Sequence, residues 1–270
     1  MPSYHLVDVF TTTQFGGNPL AVFPPQENTL DDATMQRIAN ELNLSETVFV
    51  VPPTDAANTY RLRIFTPQVE LPMAGHPTVG AAYVLAQAGF LDVPGEIVFE
   101  EGVGPIPVAL TSDEDGVRAE MQQPEPTFGE TFTDRAAIAE LLSLDEADLL
   151  DGYPVQMLSA GVPFVYVPLA SRDAVDRASL RMDIWPRYRE SIPHLFLFAT
   201  ETVSPDAAAY SRMFGPAMGI AEDPATGAAS GPLGAYLVHY GLAQPGALIS
   251  EQGYAMGRPS QVYIRIEGTP

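Results

Sequence analysis

The 270-residue chain contains neither cysteine nor lysine. Without cysteine it has no disulfide, no thiolate nucleophile and no cysteine-ligated metal site. Without lysine it has no Schiff base for pyridoxal phosphate and no P-loop lysine. All 13 basic residues are arginines and face 34 acidic residues, which gives a formal net charge of −21. This charge disfavours nucleic acid and anionic membranes as partners, because both bind cationic surfaces.

Histidine is also scarce, and long apolar runs are missing. The four histidines are His5, His76, His194 and His239, and no two are spaced for one helix face. We therefore predict no histidine-based metal site. No apolar run approaches the roughly 20 residues of a membrane helix, and the N-terminus lacks the pattern of a signal peptide. We expect a cytoplasmic protein with no membrane partner.

Segments of the first half of the sequence recur in the second half, in the same order. The separations between matching segments lie between 144 residues (Gly17 to Gly161) and 149 residues (Arg63 to Arg212). A nearly constant separation over four segments predicts a duplicated domain. The four matches are Gly17–Val22 with Gly161–Tyr166, Glu46–Val50 with His194–Phe198, Arg63–Pro67 with Arg212–Pro216, and Gly80–Ala82 with Gly227–Ala229.

Each copy contains several short strands and one apolar helix. The helices are predicted to begin near Thr78 and Gly227 and to end near Gly89 and Gly241. A helix without a polar face must be buried. We therefore predict an α+β fold of two similar domains, each a β-barrel around a central helix. The linker predicted at 122–126 divides the chain into domains 1–125 and 126–270, and whether the C-terminal strand returns to the first domain is left open.

Two turns that open these helices are candidate anion sites. Gly75–Thr78 precedes the first helix and Thr226–Ala228 the second. The first N–H groups of a helix have no partner within it and favour a carboxylate or another anion. If the duplication places both turns on one cleft between the domains, they would hold a small ligand together. The alternative is that the glycines and prolines only form turns and that Thr78 and Thr226 only cap the helices.

Three side chains near these turns are candidates for proton transfer. Glu46 begins an apolar strand, where desolvation would make its carboxylate a stronger base. The alternatives for Glu46 are an exposed charge or a partner for the end of the preceding helix. His76 lies between Gly75 and Pro77 and could face a ligand. Asp223 caps the following helix or, with Glu222, forms an acid pair for proton transfer.

Together these segments resemble the PhzF-like family of phenazine-biosynthesis isomerases, in the diaminopimelate-epimerase-like superfamily. The resemblance runs almost from end to end, and its most specific parts are the Gly-His-Pro-Thr and Asp-Pro-Ala-Thr-Gly motifs. It is based on Val7–Phe10, Gly17–Pro19, Asn43–Thr47, Arg63–Pro67, Gly75–Gly80, Glu222–Gly227 and Gly257–Ser260.

The resemblance implies two epimerase-like domains with the active site between them. It implies an isomerase that moves a proton between carbon atoms of a small carboxylic acid, without cofactor or metal, and a homodimer. Glu46 matches the family's acid/base, and His76 and Asp223 match its assisting residues. The expected substrate-binding residues are Asn18, Gly75, Thr78, Gly227 and Ala228.

One residue departs from the family pattern. Many members have serine after the Asp-Pro-Ala-Thr-Gly motif, where this chain has Ala228. Loss of the hydroxyl removes one hydrogen bond and puts the substrate of the phenazine pathway in doubt. The alternatives are therefore a binding protein for small carboxylates that has lost turnover, and a racemase or lyase on a related acid.

Overall fold

The computed structural model describes residues 3–26, 30–114 and 116–268, which form two compact units. The first unit comprises residues 1–9 and 18–123, and the second comprises residues 10–17 and 124–270. Residues 122–126, predicted as a linker, contain neither helix nor strand.

The first unit is built from eight strands and two α-helices among its described residues. The strands are β1 (His5–Val9), β2 (Asn18–Phe23), β3 (Glu46–Val51), β4 (Tyr60–Phe65), β5 (Glu70–Leu71), β6 (Gly95–Glu101), β7 (Gly104–Asp113) and β8 (Gly116–Met121). The helices are α1 (Asp32–Leu42) and α2 (Gly75–Gln87).

The second unit has eight strands and three α-helices among its described residues. The strands are β9 (Thr127–Phe132), β10 (Val155–Ser159), β11 (Pro163–Pro168), β12 (Leu195–Ala199), β13 (Ala209–Gly215), β14 (Ile220–Asp223), β15 (Gly246–Gln252) and β16 (Ser260–Ile266). The helices are α3 (Arg135–Leu141), α4 (Arg172–Arg177) and α5 (Gly227–His239).

The pairing of strands repeats between the two sheets. In the first sheet β2 pairs in parallel with β3, β3 antiparallel with β4, and β4 in parallel with β6. In the second sheet β11 pairs in parallel with β12, β12 antiparallel with β13, and β13 in parallel with β15. The short strands β5 and β14 lie antiparallel to β4 and β13. The repeated topology confirms the predicted α+β fold of duplicated domains.

Each sheet curls around one apolar helix. Helix α2 packs against β1 and β2 at one end of its sheet and against β7 and β8 at the other. Helix α5 packs against β16 and β10, which also lie toward opposite ends of their sheet. The core between α5 and its sheet is rich in aromatic side chains, which include Phe164, Tyr166, Phe196 and Tyr236. Among the described residues, no helix is both long enough and apolar enough to cross a membrane.

Helix α2 begins at Gly75, three residues before the predicted start at Thr78. Pro77 lies in its first turn, where the N–H group that proline lacks has no partner within the helix. Helix α5 begins at Gly227, as predicted. Gly75 and Gly227 are therefore the equivalent helix starts, and the sequence match of Gly80 with Gly227 is wrong in register. Both helices have 13 residues, so the rest of each helix follows the corrected register.

Candidate active site

Glu46 is buried at the start of β3, with 7% of its surface exposed. Its neighbours in the sheet are β2, where Leu20 is its register partner, and β4. Glu46 is followed in β3 by Thr47 and four apolar residues, which are largely buried on both faces. A strand covered on both faces places its first side chain in the interior, so the alternative of an exposed charge is wrong.

His76 lies beside Glu46. Its Nδ1 atom is 3.5 Å from Glu46 Oε2 and 3.4 Å from Asn18 Nδ2. Asn18 begins β2 and is fully buried, and its Oδ1 accepts a hydrogen bond of 2.9 Å from the Ser45 hydroxyl. Of the predicted site residues, Glu46, His76 and Asn18 are therefore brought together in the first unit. Catalytic hydrogen bonds are often this long without a substrate and shorten when one binds.

Burial also sets the charge of His76. The residue is 3% exposed, and desolvation lowers the pKa of its ring from 6.5 to about 3. The ring is thus neutral at pH 7 and interacts with Glu46 as an uncharged imidazole. Its Nε2 atom is buried and has no hydrogen-bond partner among the described residues. This atom can therefore bond to a ligand.

The first turn of α2 offers backbone donors next to these side chains. Its N-cap, Ala74, has no side chain that can accept from the turn. Thr78 does not cap the helix either, because its hydroxyl donates back to Ala74 O at 2.8 Å. The alternative that Thr78 only caps the helix is therefore wrong. The N–H groups of Gly75 and His76 precede the first intrahelical bond of α2, and these groups suit an anion.

In the second unit, Asp223 is held at the end of β14. It is 5% exposed, and its Oδ2 accepts a hydrogen bond of 2.6 Å from the Thr226 hydroxyl. Thr226 is the N-cap of α5, but its side chain bonds to Asp223 and caps no N–H group of that helix. Gly227 and the half-buried Ala228 are the first two residues of α5. The roles predicted for Asp223, Gly227 and Ala228 stay predictions.

Gln252, a residue that the sequence did not indicate, orders this network. It is fully buried at the end of β15. Its Nε2 donates to Asp223 O at 2.7 Å and to Thr226 Oγ1 at 3.0 Å, and its Oε1 accepts from Thr226 N at 3.0 Å. One carboxamide thus fixes both the backbone of Asp223 and the start of α5.

Glu222 forms an ion pair with Arg212, which does not involve Asp223. Both of its carboxylate oxygens accept hydrogen bonds of 2.8 Å from Arg212. The same guanidinium donates to the carbonyl oxygens of Val175, Asp176 and Ala178 at the end of α4. Glu222 therefore stabilises α4 through Arg212, and this contact accounts for its carboxylate without a role in proton transfer.

We expect Glu222→Gln to lower stability and leave turnover per folded molecule unchanged. The free energy of unfolding should fall by about 1–3 kcal/mol, because the buried Arg212 loses a charged partner but keeps its carbonyl acceptors. Urea unfolding and an activity assay on the folded fraction measure the two effects. A large loss of turnover with unchanged stability would return Glu222 to the catalytic residues.

Metal ligands are not clustered in the part of the chain that the structure describes. No group of three or more histidine, aspartate or glutamate side chains there is arranged to hold a metal ion. The independence from metals and cofactors that the resemblance implies stays a prediction.

Comparison with known proteins identifies the family. The model of the family described as "Phenazine biosynthesis-like protein" matches residues 7–270. The chain belongs to this family. It is 39% identical to an uncharacterized isomerase of Mesorhizobium japonicum, over 98% of the chain and 90% of the relative. It is 36% identical to the trans-2,3-dihydro-3-hydroxyanthranilate isomerase of Pseudomonas aeruginosa, over 99% of the chain and 91% of that enzyme. These relatives establish this member of the family as an isomerase.

Solved structures agree with the family and the fold. The Bacillus anthracis phenazine biosynthesis protein of the PhzF family superposes with a TM-score of 0.87 at 29% identity, covering 96% of this chain and 88% of the other. A hydroxyproline epimerase from Agrobacterium vitis superposes with a TM-score of 0.63 at 11% identity, covering 97% and 84%. The second likeness shows the epimerase-like fold alone.

Proposed function

We propose that this isomerase moves a proton between two carbon atoms of a small carboxylic acid, with Glu46 as the acid/base and without a cofactor or metal. The observation that supports the proposal is the burial of Glu46 beside a neutral His76, 3.5 Å away, at the start of α2. A carboxylate in this position is shielded from water and lies near backbone donors suited to a substrate anion.

The proposed reaction uses one proton and one carboxylate. Glu46 removes a proton from a carbon next to an activating group and becomes neutral. The electron pair of the broken C–H bond shifts the double bond, and Glu46 returns the proton to a second carbon. His76 orients Glu46 through Nδ1 and contacts the substrate through Nε2. The N–H groups of Gly75 and His76 bind the substrate carboxylate.

The remaining predicted residues complete the proposal. Asn18 packs against His76, with its Nδ2 3.4 Å from the ring Nδ1, and because that nitrogen donates to Glu46 in this proposal, Asn18 supports the ring by packing and not by a hydrogen bond to Nδ1. Asp223 assists proton transfer, and Thr78, Gly227 and Ala228 contribute to substrate binding, as the family resemblance implies. A small carboxylate as the partner, a homodimer as the assembly and the cytoplasm as the location remain parts of the proposal.

The first substrate to test is trans-2,3-dihydro-3-hydroxyanthranilate, because relatives that are 36% and 35% identical to this chain are isomerases of that name. A wider set of small acids, cyclic and open-chain, should be tested beside it. Each acid is incubated with the protein in deuterated water, and carbon-bound deuterium is measured by NMR. Exchange and isomerisation support the proposal. Exchange at one stereocentre without a shifted double bond indicates a racemase, and elimination indicates a lyase.

The second candidate function is binding of a small carboxylate without turnover. Ala228 favours it, because the half-buried first turn of α5 lacks the hydroxyl that many family members have there. Calorimetric binding of an acid without any deuterium exchange would support this candidate over catalysis.

Ala228→Ser tests the contribution of that hydroxyl. We expect the variant to turn over trans-2,3-dihydro-3-hydroxyanthranilate about tenfold faster than the parent, because a charge-assisted hydrogen bond is worth about 1.5–3 kcal/mol. Steady-state kinetics with this substrate measure the change. Lower or equal activity in the variant would show that Ala228 belongs to a site for a different acid.

A further inference from the structure

Glu101 is a buried carboxyl group that the proposed reaction does not use. It ends β6, is 5% exposed and lies against the first turn of α2. Its Oε1 is 2.6 Å from the Thr78 hydroxyl. Its Oε2 is buried and has no hydrogen-bond partner among the described residues.

The Thr78 hydroxyl can donate only one hydrogen bond but has two acceptors within reach, which indicates that Glu101 is protonated. The Thr78 hydroxyl lies 2.8 Å from Ala74 O and 2.6 Å from Glu101 Oε1, but it has one proton to donate. A carbonyl oxygen and an ionised carboxylate are both acceptors only. If Glu101 is neutral, its O–H donates to Thr78 Oγ1 and Thr78 donates to Ala74 O. Both short contacts are then hydrogen bonds, and the buried Oε2 is part of a neutral group and not of an unpaired charge.

The second unit has a related arrangement with a neutral side chain, in which the contacted hydroxyl belongs to the N-cap Thr226 and not to Ser230, the equivalent of Thr78. Gln252 ends β15, the strand equivalent to β6, and accepts from the N-cap N–H of Thr226 at 3.0 Å. Its Nε2 donates to the Thr226 hydroxyl at 3.0 Å. Ser230 donates to Thr226 O at 2.9 Å, as Thr78 does to Ala74 O. A protonated carboxyl group reproduces the donor and the acceptor of this carboxamide.

We infer that Glu101 is a positioning residue that acts in its protonated form: it fixes the first turn of α2 and so holds His76 beside Glu46. On ionisation the carboxylate would take the single Thr78 proton, and the loss of the bond from Thr78 to Ala74 O would loosen this turn. The inference rests on the proposed function, because it assigns to Glu101 the control of the same site at alkaline pH.

The surroundings of Glu101 agree with a neutral group. Burial raises the pKa of Glu101 from 4.5 to about 7, even when Thr78 is counted as a donor to the ionised carboxylate. Of the charged groups on the elements packed around it, Arg61 pairs with Glu100, and Arg63 pairs with Glu70 and Asp32. His76 is neutral, and none of these groups contributes to the shift. The other titratable residues on α2, β4 and β7 are Tyr60, Tyr83 and Asp113, and they do not contribute either.

The stability of the folded protein should depend on pH through the protonation of Glu101. Because the folded-state pKa of Glu101 lies above its ordinary value of 4.5, its contribution to stability is complete below pH 4.5 and is lost as the pH rises through about 7. Glu101→Gln keeps a neutral donor and acceptor at every pH. We expect its melting temperature to match the wild type near pH 5 and to exceed it by about 4 °C at pH 8.

The decisive experiment observes His76 and the Glu101 carboxyl group by NMR between pH 5 and 9. In the wild type, the 13C resonance of Glu101 and the ring resonances of His76 should titrate together near pH 7, and in Glu101→Gln the His76 resonances should not move. If substrate is turned over, kcat of the wild type should fall roughly tenfold from pH 6 to 9 while that of Glu101→Gln stays constant.

Two results would overturn the inference. One is a Glu101 carboxyl group that titrates near 4.5, which the wild type alone reveals even if a variant fails to fold. The other is a set of His76 resonances that titrate identically in the wild type and in Glu101→Gln. Both are independent of the proposed reaction, whose failure would appear as unchanged proton exchange when Glu46 is replaced.

Discussion

Replacing Glu46 by glutamine should lower turnover by about 10²–10⁴-fold and leave substrate affinity nearly unchanged. The carboxamide keeps the size of the side chain and its contact with His76 Nδ1, which is 3.5 Å from Glu46 Oε2. It removes only the ability to accept and return a proton. Steady-state kinetics give kcat, and calorimetry with the substrate gives the affinity.

Glu222→Gln is the matched control for this substitution. It makes the same chemical change at another largely buried glutamate, which pairs with Arg212 at 2.8 Å. We expect kcat per folded molecule to be normal in this variant. Equal losses in both variants would indicate a general effect on folding, and full activity in Glu46→Gln would exclude Glu46 as the base.

Replacing His76 by glutamine should lower kcat by about 10²-fold, with a smaller effect on KM. The amide would lose either the contact with Glu46 or the contact with substrate that we assign to Nε2. Because burial lowers the pKa of His76 to about 3, its removal should leave the shape of the pH profile between pH 5 and 8 unchanged. Kinetics of the two proteins over this range measure both effects.

The charge of His76 can be checked without substrate. Since its folded-state pKa lies below the ordinary value of 6.5, its contribution to stability is present above pH 6.5 and is lost as the pH falls toward 3. The 15N resonances of the ring should therefore remain those of a neutral imidazole down to about pH 4. A change of both ring nitrogens to the 15N shifts of an imidazolium, with a midpoint between pH 6 and 7, would show that His76 is a cation at the site and that the assigned role is wrong.

The duplicated fold could be predicted because matching side-chain patterns recur along the chain. Arg63–Pro67 and Arg212–Pro216 retain the same pattern, since both arginines hold acidic partners from neighbouring elements. The start of α2 was misplaced because Gly75 to Pro77 has the composition of a turn. Only the buried environment of the helix allows these residues to form its first turn.

The candidate site could be predicted only where a residue stands out locally. Glu46 is an isolated acid at the head of an apolar strand, and Asn18 and His76 belong to specific motifs. Glu222 and Asp223 are adjacent acids, and their separate partners depend on tertiary packing. The burial of Glu101 could have been predicted from the sequence, because Ile97, Phe99 and Glu101 occupy alternate positions on the buried face of β6. Gln252 could then have been found as its counterpart in the repeat.

The central claim is that Glu46 transfers a proton between carbon atoms of the substrate. The most direct measurement is the rate of deuterium incorporation from deuterated water into substrate and product, followed by NMR for the wild type, Glu46→Gln and Glu222→Gln. We predict carbon-bound deuterium with the wild type and Glu222→Gln, and a rate lower by at least about 10²-fold with Glu46→Gln. Deuterium incorporation at the wild-type rate in Glu46→Gln would contradict the account.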